Sequence, residues 1–331
     1  MDRVVTIAID LSGPSELIPE KIAGCIDALA EKEYIKLIML GNPSLIEGAL
    51  SSYGPLMSRI RIVPAMQDIP EQTSVVAAVR EYRDSAFVKG MEILKDDGAD
   101  AFVSCLSPVF ISNGAQLIIG RIKGIGVSPI ATLVPGQENP FIMLDSGASG
   151  AGIRAADIVT YARMGSLYGR FLLGKEEPGV GLLSDSRFPE NGGMLYRESF
   201  ELLRRNRDFA FSGTVTPEEL FKGKADVVVC DGFSGSLLVH MISGFAADFA
   251  SSCSTKRRYG FFGKSREQDT EASICAFDIN TKGLSFFPGL TETVTGICEK
   301  PKRDTVRMAV SYSTVLAKED IKGRLTGLLR L

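Results

Sequence analysis

Histidine is nearly missing from this chain: His240 is the only one in 331 residues. A Ser-His-Asp or Cys-His device would have to be built on that side chain, which weighs against hydrolase triads. The six cysteines, Cys25, Cys105, Cys230, Cys253, Cys275 and Cys298, are scattered and contain no CxxC pair. Neither a zinc site nor a disulfide framework is therefore expected, and reduced thiols are. No GxGxxG follows the first strand-like run and no P-loop sequence occurs anywhere. Dinucleotide binding and P-loop phosphoryl transfer are thus unsupported, and no cofactor or metal is expected. No apolar run reaches the roughly 20 residues of a membrane-spanning helix. The first residues read as a strand and not as a leader, so a cytoplasmic location is expected. Strong charge of one sign is also lacking: the formal net charge is −3, which gives no global attraction to nucleic acid, and none is expected as a partner.

What is present is an ordinary globular composition, 45% hydrophobic and 23% charged, long enough to bury a large core. Apolar, β-rich runs at 4–10, 35–40, 59–65, 101–106, 128–134, 141–145, 180–184, 209–215 and 225–231 read as strands. Segments at 19–31, 74–96, 153–174 and 194–205 carry apolar residues at helical spacing. Alternation of the two predicts an α/β fold with a mostly parallel sheet and crossover helices. The expectation is one α/β domain over 1–331, with an exposed excursion at about 241–290. That excursion contains "STKRRYGFFGKSREQD". There Lys256, Arg257 and Arg258 stand close to Phe261 and Phe262, a mixture suited to a membrane surface or an acidic partner.

In parallel sheets ligands bind beyond the carboxyl ends of the strands. Three strand ends share a pattern here. Asp10 is followed by Leu11, Ser12 and Gly13; Asp145 by Ser146, Gly147, Ala148 and Ser149; Asp231 by Gly232, Phe233, Ser234, Gly235 and Ser236. Glycines admit an anion close to backbone amides, helix N-termini supply unpaired N–H groups, and serines add donors. Such loops suit phosphate or a phosphorylated group. The aspartates would repel phosphate, so each is read as a helix cap or a loop-orienting acceptor. Their recurrence predicts one shared site.

The order of "GRIKGI" (120–125), "MLDSGAS" (143–149), "YARMGSLYGR" (161–170) and "ADVVVCDGFSGS" (225–236) resembles the phosphate acyltransferases of bacterial phospholipid synthesis, the PlsX family. The likeness covers about residues 1 to 250. It implies a Rossmann-like three-layer α/β sandwich, related to isocitrate dehydrogenases and phosphotransacetylases, and a homodimer. It implies transfer of a fatty acyl group from acyl carrier protein, or another thioester, to inorganic phosphate. It also implies peripheral membrane contact through a late excursion.

Several family motifs are replaced. Where the family has Gly-Gly-Asp-His after the first strand, this chain reads Asp10-Leu11-Ser12-Gly13-Pro14-Ser15-Glu16. The Ser-Ala-Gly-Asn-Thr-Gly stretch is here Ser104 to Val109, with Ser107 and Pro108 inside it. Ser149 and Ser236 stand for two asparagines, His240 for a lysine, and "GICEKPKRD" (296–304) for a late His-Gly-Ser-Ser. Each lost oxyanion donor would cost about 3–4 kcal/mol. The expected catalytic residues are Asp231, Ser149, His240, as proton relay or weak cation, and Cys298. The expected substrate-binding residues are Asp10, Gly13, Ser104, Ser107, Asp145, Gly147, Gly232, Ser234, Gly235 and Ser236. Two alternatives stay open. One is a cysteine-dependent relative like the acetyl-phosphate-forming subunit of glycine reductase, with Cys298 near Lys300, Lys302 and Arg303, or Cys105, carrying the acyl group. The other is a non-catalytic paralogue that binds acyl carrier protein or membrane.

Overall fold

Strands that are apolar at every position need cover on both faces, and a computed structural model of the protein provides it in two units. The structure describes residues 3–136, 139–149, 152–256, 279–298 and 300–329. One unit comprises residues 1–128 with 284–331, the other residues 129–283. The first begins with β1 (Val5–Asp10), α1 (Ile18–Glu31), β2 (Ile35–Gly41), α2 (Pro43–Leu50) and β3 (Ile60–Pro64). Then come α3 (Val75–Glu81), α4 (Ala86–Lys95), β4 (Ala101–Ser104) and α5 (Pro108–Ile118). β1 runs parallel to β2 and to β4, and β2 to β3. β3 is an edge strand with no buried residue, and it tolerates a proline, Pro64.

The helix expected over 74–96 is two helices. The chain leaves α3 at Tyr82 and restarts at Ser85, whose Oγ accepts the Val88 N–H at 3.3 Å as an N-cap. Between them Asp84 donates its N–H to Gln67 Oε1 at 2.8 Å and accepts the Met66 N–H at 3.1 Å. Polar groups outside the segment thus draw this turn out of the helix.

The second unit holds β5 (Ala131–Val134), β6 (Phe141–Leu144), α6 (Ala155–Leu172), β7 (Val180–Leu183), α7 (Met194–Arg205), β8 (Phe211–Val215), β9 (Val227–Val229) and α8 (Gly232–Lys256). Its strand order is β5-β6-β9-β7-β8. All neighbours are parallel except β5 and β6. Phe141, Met143, Val215, Val228 and Cys230 lie in its core together with Ile242 of α8.

The chain then completes the first unit with β10 (Leu284–Phe286), β11 (Thr293–Ile297), α9 (Arg303–Lys318) and α10 (Ile321–Leu329). β11 pairs parallel with β4 and antiparallel with β10, and α9 packs along α1. Within the stretch 241–290, residues 241–256 continue α8 and β10 is a buried strand. Residues 257–278, with Arg257, Arg258, Phe261 and Phe262, lie outside the described residues. Gly120 and Ile122 of "GRIKGI" hydrogen-bond the backbone of Thr291 and Gly289, so that stretch ties loops of the first unit together. Among the described residues no helix is long and apolar enough to cross a membrane.

Candidate functional site

In the second unit β6 and β9 lie side by side, so the loops that leave them meet. Asp145 directs the first loop. Its Oδ1 accepts the N–H groups of Ile130, Gly147 and Ala148 at 2.9, 3.0 and 2.9 Å, and its Oδ2 accepts that of Ser149 at 2.6 Å. With four backbone donors and no exposed surface, Asp145 shapes the loop. Ser149 Oγ in turn accepts the Gly232 N–H at 3.0 Å. This bond fastens the β6 loop to the first turn of α8.

Asp231 ends β9 because it is the N-cap of α8. Its Oδ1 accepts the Ser234 N–H at 3.0 Å, and its Oδ2 accepts Ser234 Oγ–H at 2.7 Å and the Tyr196 hydroxyl. Burial works against its charge, yet the hydrogen bonds from Tyr196 and Ser234 outweigh it and hold the carboxyl below its usual range. Tyr196 is pushed up, first by burial and then by its bond to Asp231. Glycine is required twice at this turn. A Cβ on Gly232 would sit 2.0 Å from the Ser149 carbonyl oxygen, and one on Gly235 would sit 1.9 Å from that of Asp145. Ser234 and Ser236 remain half-buried at the helix mouth, and Gly147 lies over Ser236, 3.7 Å from its Oγ to an ideal Cβ.

The other expected residues go elsewhere. His240 is exposed on α8, nine residues beyond Asp231 and hence ~13 Å along the helix. It makes no hydrogen bond among the described residues, so the structure does not bring it into the Asp231 cluster. Cys298 belongs to the first unit, just after β11. Asp10 and Ser104 meet within that unit. Asp10 Oδ1 accepts the Ser12 N–H and Oγ–H at 2.9 and 2.5 Å, and its Oδ2 accepts Ser104 Oγ–H at 2.9 Å. Ser107 caps α5, and Ser107, Ser12 and Gly13 line a pocket of about 530 Å³ that also includes Cys105. Burial pushes the Cys105 thiol up to about 11, with Lys21 opposing and Asp10 adding. A thiol so disposed is a poor acyl carrier at neutral pH.

Two residues of these clusters escape sequence reading. Tyr196 sits on a helix whose charged pattern reads as solvent-facing. Lys21 is buried at an apolar position of α1, between Ile18, Ile22 and Cys25. A lysine on that stripe was the visible signal.

The chain matches the family described as fatty acid synthesis protein over residues 5–321. It belongs to that family. Among fatty acid synthesis proteins, a phosphate acyltransferase of Clostridium perfringens is 31% identical over 258 residues, 78% of this chain and 76% of that one. A phosphate acyltransferase of Clostridium botulinum is 34% identical over 246 residues, 74% and 72% of the two chains. A solved phosphotransacetylase from Streptococcus pyogenes superposes with a TM-score of 0.57 at 16% identity, covering 96% of this chain and 94% of that one. That likeness shows the fold. The resemblance to phosphate acyltransferases and the expected α/β architecture are both borne out.

Proposed function

We infer that the protein transfers an acyl group from a thioester to inorganic phosphate, giving an acyl phosphate. The observation that supports this most directly is the junction of the β6 loop with the N-terminus of α8 through Ser149 and Gly232, in a chain of this family. A phosphate oxygen attacks the thioester carbonyl carbon, the C–O bond forms, the C–S bond breaks, and the proton of the phosphate passes to the leaving thiolate. The attacking oxygen of the phosphate dianion is already unprotonated, so the step needs no protein base. Asp231, held below its usual range, would be a poor one. Its part is to fix Ser234 and Tyr196 at the helix mouth. Negative charge on the carbonyl oxygen is stabilised by the positive end of α8 and by donors such as Ser236 Oγ and the Ser149 hydroxyl, whose lone pair is engaged by Gly232. Gly147, Gly232 and Gly235 keep the backbone open around that place.

The finer reading has acyl carrier protein as the thioester donor and a homodimer as the assembly. Lys256, Arg257, Arg258, Phe261 and Phe262 then form a peripheral membrane contact. It is supported by the family's habits and by the basic-aromatic composition of that segment. The test is to offer purified protein acyl-carrier-protein and coenzyme A thioesters with phosphate and to trap product as hydroxamate. The expected result is phosphate-dependent product that falls about 10²- to 10³-fold in Ser149→Ala and Asp231→Ala. Absence of product with every donor, while carrier protein still binds, would reduce the protein to a binding paralogue.

A further inference from the structure

One buried hydroxyl of the second unit has no partner. Tyr161 is 2% exposed, and its Oη makes no hydrogen bond among the described residues. Such a group is costly to bury and calls for a reason. The packing of α6 shows where it points. α6 follows β6 and runs back across β9, where an ideal Cβ on Gly165 would sit 2.5 Å from Val227 Cγ1 and one on Gly169 3.1 Å from Val227 Cγ2. Tyr161 stands one turn before Gly165 on the same face, ~6 Å nearer the carboxyl ends of the strands. Helical side chains lean toward the helix N-terminus, which carries the ring on toward the β6 loop. Asp145, Ser149 and Cys230 are among the groups it meets there. Burial first, and then the charge of Asp145, push its acidity down, so the phenol keeps its proton and remains a donor. Ser149, itself buried, has two lone pairs and one proton on its Oγ. The Gly232 N–H takes one lone pair at 3.0 Å.

We propose that Tyr161 is a positioning residue for Ser149: its Oη–H donates to the second lone pair of Ser149 Oγ and leaves the Ser149 O–H free only for the carbonyl oxygen of the thioester. This rests on the transfer of an acyl group to phosphate set out above. In the free protein the two hydroxyls stand near one another without bonding. The bond closes when charge builds on the carbonyl oxygen, as catalytic hydrogen bonds commonly tighten only in the complex. Hydroxyls in a chain polarise one another, so Tyr161 strengthens Ser149 as a donor at the moment it is needed.

The test compares the unaltered full chain with Tyr161→Phe, Ser149→Ala and the double variant, in the phosphate-dependent hydroxamate assay and in urea unfolding. Phenylalanine keeps the ring and removes only the unpartnered hydroxyl, so the unfolding midpoint should hold or rise. kcat should nonetheless fall about tenfold, with KM for phosphate and for thioester unchanged. In the Ser149→Ala background the same change should have no further effect on kcat, because the group that Tyr161 positions is gone. Undiminished kcat in Tyr161→Phe, or a loss that simply multiplies with that of Ser149→Ala, would overturn the proposal and leave acyl transfer standing. A midpoint that falls together with kcat would make Tyr161 a structural residue and overturn it as well. Absence of product from the unaltered protein would overturn the transfer reading, and this proposal with it.

Discussion

Asp231 shows how one carboxylate can close a strand, start a helix and arrange two hydroxyls. Its folded-state acidity is lowered by Tyr196 and Ser234 against the opposing effect of burial. The resulting stability is fully present above the unfolded value of about 3.9 and is lost as pH falls through the lower folded value. Tyr196→Phe removes one donor to a charged group and should cost about 1.5–3 kcal/mol near neutral pH. It should also flatten the loss of stability below pH ~4. Urea unfolding of both proteins across that range checks the claim, and parallel pH slopes would contradict it. Cys105 makes the opposite case. With its thiol pushed up to about 11, alkylation of the native protein should be slow at neutral pH and rise roughly tenfold per pH unit up to that value. Removing the cation in Lys21→Met should move the curve to still higher pH. Rapid labelling of Cys105 near pH 7 would instead restore it as a nucleophile.

At the scale of the element, α8 carries two kinds of glycine. Gly235 lies where a Cβ would collide with the Asp145 carbonyl, whereas Gly244 has nothing within 4 Å. Gly235→Ala should therefore destabilise by about 3 kcal/mol, while Gly244→Ala, in an exposed helix interior, should stabilise by up to about 1 kcal/mol. Denaturant midpoints of the two variants separate these outcomes. If both substitutions acted alike, the close approach of α8 to the β6 loop would be refuted. The same contrast between local and imported constraints explains α3 and α4. Apolar periodicity runs on through 74–96, but Ser85 acts as a cap only because the groups around Asp84 engage Gln67 and Met66.

At the scale of the whole molecule, β4, β6 and β9, three of the strands buried at every position, together with β1, are the expected last refuges of hydrogen-exchange protection. Peptides spanning Val5–Asp10 and Ala101–Ser104 in the first unit, and Phe141–Leu144 and Val227–Val229 in the second, should exchange most slowly by mass spectrometry. Slower exchange in edge strand β3 would contradict this. All nine strands read from the sequence exist: the buried ones announce themselves by an unbroken apolar run, and the exposed β3 still carries Ile60, Ile62 and Val63. The loop residues Asp145, Gly147, Ser149 and Asp231 to Ser236 were legible too, since small and acidic residues after such a run mark a strand-to-helix turn. β10 and β11 were not, because Leu284–Phe286 is too short to carry a period and becomes a strand only by pairing with Thr293–Ile297. Nor could sequence join Tyr196 to Asp231, 35 residues away, or Gly232 to Ser149, 83 away. The amino-acid order by itself determined the α/β alternation, the family and the small-residue turns, all of which depend on neighbours along the chain. Only the tertiary structure decided which aspartates are spent on their own loops, which thiol is silenced and where a lysine is buried beside it. Burial and hydrogen-bond partners are supplied by residues far away in the chain.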